Sequence, residues 1–181
     1  MYEVEVKIPA THDPVRERLE ALDAEPLGAV RQHDTYYDHP TRDFAETDEA
    51  LRLRRESSTG DGPEVAVLTY KGPLVDDRTK TREEQETEVE DREAAHAILQ
   101  AVGFDAAAVV EKHRERYGID GFVVTLDAVE GLGSYVEVEA GSAAADLEAL
   151  SDRAFDLCRR LGLDPDESTR TSYLGLLLEQ P

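Results

Sequence analysis

The sequence has one cysteine, so no internal disulfide can hold it together. It has no apolar run near the roughly 20 residues that cross a bilayer. Its N-terminus lacks a basic-then-apolar signal pattern, which predicts no leader and a cytoplasmic protein. Positive charge is scarce: 20 Lys and Arg face 41 Asp and Glu, a formal net charge of −21. That balance argues against nucleic acid or an anionic membrane as a partner. Lysine is scarcer still, at four against 16 arginines. The acidic, arginine-biased composition predicts a salt-rich, halophilic cytosol. In molar salt the Debye length is about 3 Å, so the acidic shell would barely repel an anionic substrate.

What the chain does have is alternation. YEVEVKI (2–8) puts Glu3, Glu5 and Lys7 on one strand face and Val4, Val6 and Ile8 on the other. Asp13-Pro14 reads as an N-cap with Pro at the first helical position, followed by Val15, Leu19 and Leu22 at helical spacing. Further strands are expected at 31–37, 51–56 and 64–72, with a hairpin-type turn at STGDGP. A loop is expected at DHPTRDFAETDEA and another at PLVDDRTKT, which contains Lys80. An acidic strand, 82–90, leads to Asp91 as cap of a helix carrying Ala94, Ala95, Ile98, Leu99 and Val102, with Gly103 as its stop. Strands at 111–119, 122–129 and 133–140 follow. Ser142 is the expected cap of a long helix striped by Leu147, Leu150, Ala154, Leu157 and Leu161, and a last helix covers about 169–179.

This order is a βαβββ unit used twice, about 1–80 and 81–165, plus a C-terminal helix. We read residues 1–181 as a single α+β domain. Its eight strands are expected to close into a barrel with helices packed outside. Any one strand with a charged face could be ordinary wet sheet. Seven such strands together weaken that reading. If helices cover the apolar faces from outside, Arg52, Arg54, Lys71, Arg82, Glu84, Glu86, Lys112, Arg114, Arg116, Asp127, Glu137 and Glu139 all point inward. Unpaired buried charge costs several kcal/mol per ion, so the lumen must be wet and must take charged ligands. Cations alone would suit an anion, and carboxylates alone a metal. Both together point to a triphosphate carried with Mg²⁺ or Mn²⁺.

Taken in order, Glu3-x-Glu5-x-Lys7, LRLR (Arg52, Arg54), YKGP (Lys71), R-x-E-x-E (Arg82, Glu84, Glu86), K-x-R-x-x-Y (Lys112, Arg114, Tyr117) and LDAVEGLGSYVEVE resemble the CYTH proteins, or triphosphate tunnel metalloenzymes. The likeness is nearest to the class IV adenylyl cyclase (CyaB) branch. It implies a closed antiparallel tunnel and metal binding by Glu3, Glu5, Asp127, Glu137 and Glu139, with Glu84 as a further candidate. It implies phosphate binding by Lys7, Arg52, Arg54, Lys71, Arg82, Lys112 and Arg114, of which Lys7, Lys71, Lys112 and Arg114 would act in catalysis. The expected activity is conversion of ATP to cyclic AMP and pyrophosphate. An inorganic, thiamine or nucleoside triphosphatase and a non-catalytic polyphosphate or nucleotide module are the alternatives. The resemblance also implies a homodimer. Elsewhere, no P-loop is present. His33, Asp34, Asp38 and His39 read as a solvated turn rather than a metal site, and Cys158 as a buried inert thiol.

Overall fold

In a computed structural model, residues 2–59, 62–75, 78–142 and 147–180 are described, residue 142 by its backbone alone. Alternation dominates the chain, and strands dominate the fold. The first half runs β1 (Tyr2–Pro9), α1 (His12–Ala21), β2 (Glu25–Asp38), α2 (Phe44–Thr47), β3 (Ala50–Ser58) and β4 (Glu64–Leu74). The second half runs β5 (Lys80–Val89), α3 (Arg92–Ala101), β6 (Asp105–Ile119), β7 (Phe122–Val129) and β8 (Gly133–Ser142), followed by α4 (Leu147–Arg160), a 3-10 turn (Pro165–Glu167) and α5 (Tyr173–Leu178). The strands close in the order β1-β5-β4-β3-β2-β6-β7-β8, every neighbour antiparallel. The closed eight-stranded barrel with helices outside is the architecture expected.

The apolar faces point outward, as closure requires. Val4, Val6, Ile8, Val124, Leu126, Val136 and Val138 pack under Val15 and Leu19 of α1 and Leu150, Ala154, Leu157 and Cys158 of α4. A smaller cluster of Val110, Val129 and Tyr173, with Tyr36 and Tyr135 against it, seats α5 across one end of the barrel. Thr169 N–H donates to the Lys7 carbonyl (2.9 Å), which ties that C-terminal segment to β1.

Several boundaries differ from expectation. α1 begins at His12 behind Thr11, so Asp13 lies in its first turn, bonded to Arg16 (2.6 Å), and is not the cap. β2 reaches back through Pro26 and Gly28, where a register shift against β6 absorbs them. β6 starts six residues early, at the alanine-rich Asp105–Val110, because it pairs there with β2. The 38–50 loop contains α2, capped by Asp43. The last helix is confined to Tyr173–Leu178, capped by Ser172. Asp91 caps α3 as expected, its carboxylate accepting from Ala94 N–H (2.9 Å), and Gly103 ends the helix at φ +101. The Ser142 cap lies outside the described residues.

Candidate active site: a charged tunnel

Because the apolar residues face the helices, their alternates face the lumen. β1 delivers Glu3, Glu5 and Lys7, and β8 delivers Glu137 and Glu139 directly beside them, Glu5 opposite Glu139 and Lys7 opposite Glu137. β3, β4 and β6 deliver Arg52, Arg54, Lys71, Lys112 and Arg114. All line one cavity of about 1010 Å³. That is ample for a nucleotide-sized ligand.

Glu3, Glu5 and Glu139 converge, with one oxygen from each lying within 4.8 Å of the others. Burial, and then the neighbouring carboxylates Glu139, Glu84 and Glu5, push the Glu3 carboxyl up to about 8 against the pull of Lys71. Burial with Glu137 and Glu5 pushes Glu139 up to about 7, although Arg114 opposes it. Glu5 goes the other way: burial disfavours its charge, but Lys7, Lys80 and Lys71 hold it well below the usual carboxylate range. Three hard oxygen donors crowded together fit Mg²⁺ or Mn²⁺, whose charge would relieve their mutual repulsion.

Asp127 and Glu137 are engaged elsewhere. The Arg114 guanidinium forks onto Asp127 (Nε–Oδ1 2.7 Å, Nη2–Oδ2 2.5 Å) and also meets Glu137. Tyr173 Oη donates to Asp127 Oδ2 (2.8 Å). Glu84 sits 2.5 Å from Lys71 Nζ. Asp34 plays on the other wall the part that Asp127 plays here. It accepts both arms of Arg54 (2.7 Å each) and lies 3.7 Å from Arg52 and 3.6 Å from Lys112. Burial opposes its charge, but Arg52, Lys112 and Arg54 hold it far below the usual range. Arg52 keeps its Nε buried without a hydrogen-bond partner. Burial, with Arg114 and Arg54 nearby, brings Lys112 down to about 7.

Lys7 is fixed on several sides: by Glu5 (3.2 Å), Glu137 (3.5 Å), the Thr171 carbonyl (3.2 Å) and the Tyr173 ring (4.3 Å to its centroid). Arg82 lines the lumen, but its guanidinium clasps the connection after α2. It donates to the Asp48 carbonyl (2.8 Å), the Asp48 carboxylate (3.2 Å) and the Gly72 carbonyl (3.3 Å). Where β2 ends and β6 begins, the lining gains apolar surface: Tyr36, Tyr37, Ala107 and Ala108 stand with Phe44, Leu74, Leu174 and Leu178, and Asp38, Asp48 and Glu49 lie among them.

Sequence reasoning missed Asp34, Lys80 and Tyr173. Asp34 shares a strand face with Gln32 and Tyr36, so alternation in β2 could have found it. It points opposite to His33, which pairs outside with Glu111 (3.5 Å), so no metal site joins these two. His39 Nδ1 accepts the Thr41 and Arg42 N–H groups (3.1 Å each). Lys80 is not in a loop: it opens β5 opposite Glu5, buried, with Nζ 3.2 Å from Glu5 Oε1. Tyr173 stands in TSYLGLLL, a stretch that also carries the family resemblance, but nothing in the sequence gave it a role.

A Methanocaldococcus jannaschii protein named for adenylate cyclase is 35% identical over 178 residues, 97% of this chain and 98% of that one. A solved Pyrococcus horikoshii protein superposes with a TM-score of 0.91 at 37% identity, covering 99% of each chain. A Hippeastrum protein, named for adenylyl cyclase and described with a dominant triphosphatase activity, has a TM-score of 0.68. It covers 98% of this chain and 94% of its own, and at 18% identity shares the fold alone. The CYTH domain model matches residues 1–173, and the chain belongs to the CYTH family.

Proposed function

We propose that this protein is a divalent-metal-dependent enzyme acting on a triphosphate, of the adenylyl cyclase type. One observation carries the reading: a carboxylate trio (Glu3, Glu5, Glu139) and a wall of cations share one lumen. Glu3, Glu5 and Glu139 would hold Mg²⁺ or Mn²⁺, with Glu137 and Glu84 close by as further oxygen donors. The metal's chemistry is neutralisation of phosphate charge and support of the leaving group. The cations do the rest. Arg52, Arg54 and Arg114 offer planar forks to phosphate oxygens, and Lys7, Lys71 and Lys112 offer point charges. Asp34 and Asp127 keep the arginine forks oriented before the ligand arrives, so little reorganisation is needed on binding. Arg82 acts indirectly, by holding the rim that Asp48 belongs to.

The apolar rim favours a nucleotide over inorganic triphosphate, since an aromatic base has surface to bury there. In the cyclase reaction the ribose 3′-hydroxyl attacks the α-phosphorus, its proton leaves, and pyrophosphate departs. A triphosphatase would direct water at the terminal phosphorus in the same tunnel. The dominant triphosphatase activity of the Hippeastrum protein makes that the second reading. Incubation of purified protein with ATP and with tripolyphosphate, with Mg²⁺ or Mn²⁺ in molar KCl, separates them. Cyclic AMP and pyrophosphate are the expected products. Orthophosphate from both substrates would replace cyclase by hydrolase, and binding without turnover would leave a binding module. Glu5→Gln is expected to abolish turnover at subsaturating metal.

A further inference from the structure

We propose that Lys80 is a resident counter-cation of the carboxylate trio, which gives up Glu5 to the metal only as the triphosphate arrives. This rests on the metal–triphosphate reading above. Glu5 Oε1 carries two ammonium groups at once, Lys7 Nζ at 3.2 Å and Lys80 Nζ at 3.2 Å. The two lysines are not equivalent. Lys7 is also held by Glu137, the Thr171 carbonyl and the Tyr173 ring, so it stays in place. Lys80 reaches Glu5 from the first residue of β5 on a flexible four-carbon stem.

A divalent ion sits about 2.0–2.1 Å from its oxygen ligands. On Glu5 it would lie within about 5 Å of the Lys80 ammonium, where like charges repel by several kcal/mol at an effective dielectric constant near 20. The empty tunnel therefore resists the metal. A triphosphate supplies Lys80 with a new anionic partner, and the stem swings toward it. Metal and triphosphate then help each other bind, a coupling that is reciprocal by linkage. Lys80 is thus a phosphate ligand in the loaded tunnel and a stand-in cation in the empty one.

The test uses Lys80→Met and Lys80→Arg, with thermal unfolding to confirm that each is folded. Mn²⁺ alone is titrated into ligand-free protein by electron paramagnetic resonance, and tripolyphosphate alone into metal-free protein by calorimetry. Lys80→Met is expected to bind Mn²⁺ about tenfold more tightly and tripolyphosphate about tenfold more weakly than wild type. Lys80→Arg should bind Mn²⁺ as weakly as wild type. General damage to the site would weaken both ligands together, so opposite shifts identify the exchange. If wild type binds both ligands and Lys80→Met leaves Mn²⁺ affinity unchanged or lower, the role assigned to Lys80 is wrong and the tunnel reading stands. If wild type binds neither, both are overturned.

Discussion

At the scale of single residues, the site works by imbalance. Lys112 faces Arg114 on its own strand, Arg54 on β3, Asp34 on β2, Asp127 on β7 and the Tyr173 ring on α5. Burial, then Arg114 and Arg54, outweigh the two aspartates and bring its ammonium down to about 7. A bound phosphate favours the charged form and raises that value, so binding takes up a proton. Metal-free triphosphate affinity should therefore fall as pH rises through 7. Calorimetry near pH 7 in two buffers of different ionisation enthalpy should show net proton uptake, reduced in Lys112→Arg, whose charge does not titrate. Proton release would contradict this. Most charged residues of this site were legible because an ion on an alternating strand must choose a face; Asp34 and Lys80 were the exceptions. The pairings were not. Asp127 and Glu139 look alike in LDAVEGLGSYVEVE, yet Arg114 takes one while the other joins the trio, and only the register of β6, β7 and β8 decides it.

At the scale of elements, α4 and α3 do different work. α4 buries Leu150, Ala154, Leu157 and Cys158 against β1 and β8. α3 buries no residue fully, and Ile98 is 61% exposed. Leu157→Ala should cost about 2–5 kcal/mol. Ile98→Ala should stay within about 0.5 kcal/mol. Urea unfolding of both variants checks this, and equal losses would contradict the packing described. Both helices were visible as stripes in the sequence, but periodicity says nothing of depth. The α3 stripe carries Ile98 and Val102, yet both stand exposed. Lys80 was read as loop because Asp76, Asp77 and Arg78 precede it. The alternation Lys80, Arg82, Glu84 shows where β5 begins once Glu5 is seen opposite Lys80. Pro26 and Gly28 hid the start of β2 for a similar reason, since a register shift that tolerates them leaves no local mark.

At the scale of the whole molecule, closure makes the tunnel, and surface charge sets the conditions under which it persists. A net charge of −21 on 181 residues repels itself when the chain is compact. Screening shortens the Debye length from about 10 Å at 0.1 M salt to about 3 Å at 1 M. The unfolding temperature should therefore rise from low to molar KCl, and a fall would remove the argument for a salt-adapted surface. The barrel itself was legible, because seven one-sided strands and three striped helices have few ways to hide their apolar faces. Its apolar rim was not, since Phe44 of α2, Leu74 at the end of β4 and Leu174 of α5 come from distant parts of the chain and meet only in space. The most direct measurement of the central claim is a crystal grown with Mn²⁺ and a non-hydrolysable ATP analogue. The account predicts an anomalous Mn²⁺ peak among Glu3, Glu5 and Glu139, with the phosphates against Arg52, Lys71 and Lys112. Manganese bound outside the lumen, or phosphates bound on the outer surface, would contradict it.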